Sequence, residues 1–411
     1  MHNIKTNNSG GISAPAGFKA AGVEAAIKSG GGLDMALVVS EYPAVAAGAF
    51  TANRLAAAPV LYDREIMEQQ CDVRAVFVNS GCANACTGMQ GRDDTFRVAA
   101  LTGQALGVES CEVLVCSTGR IGTCLPMNNI EAAMKKAVDS LSDDGGERAA
   151  DAILTTDTKP KSISVSVDLA EGSVTIGGMS KGAGMIAPAM KPAVPHATML
   201  AFITTDADVD RNFLNECLAG SLDSSFNRIT VDGDSSTNDS LIALANGSAG
   251  NARIDASHED AEIFREAFTY VAEWLAKQIV LDGEGATKFV EVKVTQAASE
   301  QGAKDCAAAI ANSLLCKTAW FGADPNWGRI VDAAGYSGAK INKDRLNLYL
   351  QGVAAVRNGV ATDTSEQALK EAVSGDELTI ELELAAGQSE FTMWTCDLSY
   401  EYVKINAEYH T

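Results

Sequence analysis

Thr198 is the residue around which nucleophilic chemistry could be organised. In KPAVPHATMLAFITTDA (191–207) two prolines and a histidine lead through Ala197 to this threonine, and an apolar run follows from Met199 to Ile203. A serine or cysteine nucleophile ordinarily needs a histidine base, and the chain has only four histidines, so the supply of such bases is thin. His2 and His410 lie near the termini, His258 sits in charged helical sequence, and His196 lies just before Thr198. A threonine escapes the requirement if it becomes a chain terminus, because its own α-amine, with a pKa of about 8, can take the hydroxyl proton. That chemistry demands a cut between Ala197 and Thr198. The plainer alternative is a polar residue at a strand edge, and residue type alone leaves both open. Pro188, Pro192 and Pro195 favour an extended lead-in, since proline fixes φ and cannot donate to a sheet ladder.

Two glycine-bearing stretches could supply the complementary groups. In STGRIG (117–122) the backbone amide of Gly119 and the hydroxyl of Thr118 could donate to a developing oxyanion, where one donor is worth on the order of 100 to 1000-fold in rate. The same residues also read as a turn that merely ends a strand. GGMSKGAGMIAP (177–188) suggests a phosphate cradle but fails the P-loop pattern, because its lysine precedes the second glycine pair and no Ser or Thr follows it. Lys181 is then either solvated or directed into a cleft, where an ammonium would bind a carboxylate. Cys82 and Cys86 in NSGCANACTG (79–88) form a close pair, yet no histidine lies near them, so no zinc site is expected.

These residues need a scaffold, and the totals say which kind. With 411 residues, 46% apolar and 21% charged, the chain has the material for two domains or one large layered α/β unit. A formal net charge of −21 disfavours phosphate backbones and anionic lipid surfaces, so nucleic acid and membrane are not expected partners. No run reaches the roughly 18 apolar residues of a membrane span, and the N-terminus lacks an apolar signal core. A cytoplasmic location follows, and the ten scattered cysteines are expected as reduced thiols.

Strands are expected at VRAVFVNSG (73–81) and EVLVCSTGRIG (112–122), each ending in Asn, Ser, Thr and Gly. The spacing of Ile130, Ala133, Met134, Ala137 and Leu141 predicts an amphipathic helix over 128–140. SISVSVDLAEGSVTIGG (162–178) reads as a hairpin. Further on come a helix over 257–280, a strand in KFVEVKVTQ (288–296) and one helix from Ser299 to Ala319. A capped helix at TSEQALKEAV has Thr364 and Gln367 spaced for a capping box, and 377–399 reads as a second hairpin. Without a regular βαβ beat, this mixture favours layered sheets covered by helices over a doubly wound sheet.

KGAGMIAP, ATMLAFITTDA, NSGCANACTG, STGRIG, ILTTDT, VDGDSSTND, EGATK, DPNWGRI and the C-terminal INAEYHT together resemble the ornithine acetyltransferase family of arginine biosynthesis, also called glutamate N-acetyltransferase. The resemblance spans nearly the whole chain, in the family's order. It implies an α/β fold shared with certain aminopeptidases and autoprocessing into two fragments, 1–197 and 198–411. The Thr198 hydroxyl would attack the Ala197 carbonyl, and the freed Thr198 would then carry acetyl from N2-acetyl-L-ornithine to L-glutamate in a ping-pong transfer. By the same resemblance Thr118 and Gly119 form the oxyanion hole, and Thr155, Lys181, Thr198, Glu284, Asn406 and Thr411 contact substrate. The family assembles as a heterotetramer of two α and two β fragments and needs no metal or organic cofactor, the acyl group being carried by the protein. Whether acetyl-CoA is a second donor stays open.

VDGDSSTND either borders the cleft or stacks acidic turn residues, a supporting role being favoured, and DPNWGRI is expected to form a packed corner in which Asp324 could pair with Arg329. One departure from the family is an added hexapeptide around Lys191 to His196, immediately before the scissile residue. Two alternatives remain beside acetyl transfer: a hydrolase of the aminopeptidase type using the same nucleophile, and an uncleaved amino-acid-binding protein.

Overall fold

The computed structural model of the chain describes residues 4–7, 9–187, 190–192 and 199–408. In chain order the strands are β1 (Lys5–Asn7), β2 (Phe18–Val23), β3 (Met35–Phe50), β4 (Val73–Cys82), β5 (Val113–Arg120), β6 (Lys161–Leu169), β7 (Gly172–Lys181), β8 (Lys191–Pro192), β9 (Leu200–Thr205), β10 (Ser240–Ala245), β11 (Phe289–Ala297), β12 (Asn347–Leu350), β13 (Val353–Arg357), β14 (Val360–Ala361), β15 (Glu377–Glu383) and β16 (Ser389–Cys396). The chain divides into two units, one of Met1–Asn227 with Asp234–Ile279, the other of Arg228–Gly233 with Val280–His410.

In the first unit the described strands form a sheet of order β1-β6-β7-β9-β10-β3-β4-β5, with β2 and β8 also paired to β3. The alternating sequence from 162 to 178 forms its hairpin as expected, β6 and β7 pairing from Lys161↔Ser180 to Leu169↔Gly172. β3 is long enough to serve two neighbourhoods. Met35–Val39 pair with β4, Val45–Phe50 pair with β10, and a register shift between Val39 and Ala44 bends the strand from one to the other. The apolar run after Thr198 becomes β9, buried at all its positions. Continuous hydrophobicity suits a strand covered on both faces, and β9 lies between β7, antiparallel, and β10, parallel.

Helices cover this sheet. The one expected over 128–140 spans Met127–Asp139 and buries Ile130, Ala133, Met134 and Ala137. These side chains join Val60 and Ile66 of Ala58–Glu68 and Val98 and Ala99 of Gly88–Leu106, packing with Leu37, Val76, Phe77 and Val115 in one hydrophobic cluster.

The second unit holds a sheet of order β14-β13-β12-β15-β11-β16, packed with Ala303, Ile310, Cys316 and Ile330 of its helices. Four sequence expectations change here. Residues 377–399 do not form a hairpin, because β11 lies between β15 and β16, parallel to the first and antiparallel to the second. The connecting residues 384–388 are long enough to step over one strand, a gap of about 10 Å that a two-residue turn could not span. They lie against the end of β11, where a Cβ on Gly387 would meet the Ala297 carbonyl oxygen at 2.3 Å. The single helix expected from Ser299 to Ala319 is two, Glu300–Ala311 and Leu314–Phe321, since Ser313 accepts the Cys316 amide and starts a new helix. The cap of Glu366–Ala372 is Ser365, which accepts the Ala368 amide, while the Thr364 hydroxyl donates to the Ala354 carbonyl. Asp324 and Arg329 do not pair either: Arg329 donates to the Leu315 carbonyl at 2.7 Å and Asp324 accepts from Asn326. The ten cysteines are free, and no helix among the described residues is long and apolar enough to cross a membrane.

Candidate active site

STGRIG ends β5, and its geometry goes beyond that of a simple turn. Gly119 sits at φ +126°, opposite Gly81 of β4, and a Cβ there would lie 2.5 Å from the Gly81 carbonyl carbon and 2.7 Å from the Cys82 nitrogen. Only glycine fits so close to a neighbouring backbone. Thr118 beside it is buried, 2% exposed.

A polar network fixes this strand end. The Ser117 hydroxyl donates to Asn79 Oδ1 at 2.7 Å, and Asn79 Nδ2 donates to the Cys82 carbonyl at 2.8 Å. Asn238 Nδ2 donates to the Ser117 carbonyl at 2.8 Å and the Ala83 carbonyl at 2.6 Å, while its Oδ1 accepts the Thr237 hydroxyl. The VDGDSSTND stretch thus has the supporting role expected of it. Two residues on, the Ser240 amide donates to the Met199 carbonyl at 3.0 Å, so this segment links the end of β5 to the first described residue after Thr198.

On the other side of β9, Leu200 is in register with Lys181, the last residue of β7. The Lys181 ammonium is buried, donates to the Thr155 hydroxyl at 2.8 Å and lies 3.7 Å from Asp157 Oδ2. It therefore points inward, and two of the expected substrate residues, Thr155 and Lys181, are brought together. Asp157 organises them: it accepts from Lys161 Nζ at 2.7 Å, the Gly182 amide at 2.6 Å and the Thr155 amide at 3.0 Å. Burial alone would raise the Asp157 carboxyl, but the Lys181 and Lys161 ammonium groups and these donors outweigh it and hold it well below the carboxylate range. Lys28 adds a further cation, whose ionisation burial disfavours while Asp34 and Asp157 favour it.

In the second unit Glu284 and Asn406 meet directly. Asn406 Nδ2 donates to Glu284 Oε2 at 2.6 Å and to the Tyr402 carbonyl at 3.0 Å. Asn406 belongs to the helix Tyr400–Glu408. Ser399 holds the adjoining loop through the Gly285 carbonyl, and a Cβ on Gly285 would meet the Tyr402 nitrogen at 2.6 Å.

Ala197, Thr198, Thr411 and most of the added lead-in lie outside the described residues, as do His2, His196 and His410. His258 accepts the Asp260 amide. The sequence reading missed Asp157, Asn79 and the particular part played by Asn238. The spacing of Asp157 four residues before Lys161, within ILTTDTKPK, was the one local signal available.

Chemically, the first unit offers a strand end carrying the Gly119 amide and the Thr118 hydroxyl, and an inward ammonium beside a hydroxyl; the second offers a carboxylate held by an amide. Comparison with known proteins gives these groups a context. Residues 19–411 match the ArgJ family. An arginine biosynthesis bifunctional protein ArgJ of Symbiobacterium thermophilum is 46% identical, over 98% of this chain and 99% of that protein. Its counterpart in Geobacter sulfurreducens is 48% identical over 96% and 99%. Among solved structures, the protein of the same description from Bacillus halodurans is 43% identical with a TM-score of 0.50, and 52% of this chain covers all of that one.

Proposed function

This chain belongs to the ArgJ family, and from that premise we propose how its residues carry an acetyl group. It is an acetyltransferase of arginine biosynthesis that acetylates glutamate. Self-cleavage between Ala197 and Thr198 yields fragments 1–197 and 198–411. The Thr198 hydroxyl then attacks the acetyl carbonyl of N2-acetyl-L-ornithine while its freed α-amine takes the proton. Thr118 and Gly119 donate to the oxyanion, ornithine leaves with the proton, and an acetyl-Thr198 ester remains. The glutamate amine attacks that ester, giving N-acetylglutamate and restoring the hydroxyl. Lys181 and Thr155 take a substrate carboxylate, Glu284 takes an ammonium, and Asn406 and Thr411 complete the substrate contacts. The relatives' description as bifunctional supports a second donor, assigned here to acetyl-CoA. The assembly is a heterotetramer of two α and two β fragments, working in the cytoplasm.

What carries this assignment is the register of three strands. Lys181 and Ser240 both pair with Leu200, so β9 lies between β7, which ends in the buried ammonium, and β10, whose preceding residue Asn238 bonds the Ser117 carbonyl. The half-length Bacillus halodurans chain lends support, since residues 198–411 also make up 52% of this chain.

Intact mass is the direct test. Wild type should give two polypeptides split before Thr198, and Thr198→Ala one inactive chain; a cleaved and active Thr198→Ala protein excludes the nucleophile. With N-acetylornithine and glutamate, ornithine and N-acetylglutamate should form in equal amounts, whereas free acetate would mark a hydrolase. Glutamate with acetyl-CoA alone checks the second donor.

A further inference from the structure

Asp239 is buried and neither of its carboxylate oxygens accepts a hydrogen bond from a described residue. Folded proteins keep few such groups, because a buried polar atom without a partner costs about 1–3 kcal/mol, and more when charged. A buried carboxyl of this kind calls for a chemical explanation.

Its place suggests one. Asn238, just before it, bonds the Ser117 carbonyl next to the oxyanion donors, and Ser240, just after it, donates to the Met199 carbonyl. Residue 239 therefore lies beside the start of β9, across a strand spacing of about 4.8 Å, one peptide bond downstream of Thr198. Thr51 frames it from the end of β3: its amide donates to the Asp239 carbonyl at 2.9 Å and its hydroxyl to the Ser236 carbonyl. Lys181, the last residue of β7, is the charged group facing it. Burial pushes the Asp239 carboxyl well above the ordinary range, and the Lys181 ammonium opposes that without overcoming it. A carboxyl whose charged form is disfavoured by burial can hold a proton to give as well as take one.

Building on the Thr198 assignment, we propose that Asp239 is the catalytic acid and base of the self-cleavage step. As Thr198 Oγ bonds to the Ala197 carbonyl carbon and the C–N bond breaks, Asp239 gives its proton to the Thr198 nitrogen. The resulting carboxylate takes the proton lost by Oγ. Asp239 ends as it began, the peptide has become an ester with a free amine, and water then hydrolyses the ester to the Ala197 carboxylate and the Thr198 hydroxyl.

Pulse labelling in cell-free synthesis measures conversion of the full chain to its fragments. Asp239→Asn preserves size and polarity but cannot exchange a proton, so it should fold, as judged by circular dichroism, and cleave about 10²–10⁴-fold more slowly. Wild-type cleavage should fall as pH rises through the Asp239 pKa, because the relay starts from the neutral acid; residual cleavage in Asp239→Asn should lack that limb. Cleavage of Asp239→Asn at the wild-type rate, with Thr198→Ala still whole, overturns the role of Asp239 and leaves the nucleophile standing. Cleavage of Thr198→Ala removes the nucleophile instead. Should Asp239→Asn fail to fold, Asp239→Glu decides: a displaced pH profile supports the relay, and a profile identical to wild type overturns it.

Discussion

Gly119→Ala separates a strand-ending turn from an oxyanion hole. A Cβ at this position would stand 2.5 Å from Gly81 C and 2.7 Å from Cys82 N, and these are backbone atoms that cannot rotate aside. Holding a non-glycine residue near φ +126° costs on the order of 1–3 kcal/mol, and forcing a methyl group against packed backbone about 1–3 kcal/mol more. Gly122 supplies the control in the same turn: its φ is +79°, yet nothing lies within 4 Å of a Cβ there. Gly122→Ala thus carries the backbone strain without the clash, and the two variants should differ by about 1–3 kcal/mol, or roughly 2–12 °C in Tm. Stability is best read in the single-chain Thr198→Ala background, where unfolding is unimolecular. In the cleavable protein, relief of the clash must push Gly119 away from Gly81, and misplacing one oxyanion donor should lower kcat on the order of 10²–10³-fold. Ornithine release in the presence of glutamate measures it. If Gly119→Ala matches Gly122→Ala in both Tm and kcat, the assignment of Thr118 and Gly119 fails.

Lys181→Met should raise KM for the amino-acid substrates by about 10 to 100-fold, the worth of one charge-assisted hydrogen bond, as initial rates would show. Its stability cost should stay below the usual 3–5 kcal/mol for breaking a buried pair, because Asp157 keeps Lys161 at 2.7 Å. The buried carboxyls also set a pH dependence, best followed by urea midpoints in the Thr198→Ala background. Asp157 is depressed, so its stabilisation is present above the unfolded value near 3.8 and is lost only as pH falls below it. Asp239 is raised, so folding takes up a proton and stability declines as pH climbs from about 3.8 toward the folded value. Relative to Asp239→Asn, the parent chain should therefore lose ground steadily over that window; parallel curves would refute the shift.

Legibility in the sequence tracks how local the deciding interactions are. The β6–β7 hairpin and the Met127–Asp139 helix follow from alternation and helical spacing within a single segment. The expected hairpin over 377–399 fails because its two strands take their partner from residues 289–297, which no local pattern announces. At Thr364 and Ser365 two adjacent hydroxyls compete for one cap, and the Ala354 carbonyl takes the first out of contention. The site divides the same way. STGRIG and Lys181 are visible as types in a suggestive setting, whereas Asn238 matters through carbonyls 121 and 155 positions away. Asp157 hides because its value lies in holding Lys181, Lys161 and the Gly182 amide at once, and the first and last of these are far along the chain.

The same non-local pairing explains how a covalent break inside the sheet can be tolerated. β9 is the strand that cleavage would cut loose at its start, and it is joined by six register pairs to β7 and six to β10. β7 lies in residues 1–197 and β10 in 198–411, so the ladder on one side of β9 links the proposed fragments and the ladder on the other side belongs to one of them. A second link runs from β10 to β3. All six residues of β9 and of β10 are buried, so separating the fragments would expose their apolar side chains as well as two ladders of backbone polar groups. Scission should therefore free one terminus, where the chemistry needs an amine, and leave the surrounding sheet intact. Size-exclusion chromatography of the cleaved enzyme in non-denaturing buffer checks this: both fragments should co-elute, and their separation would show that the ladders do not hold.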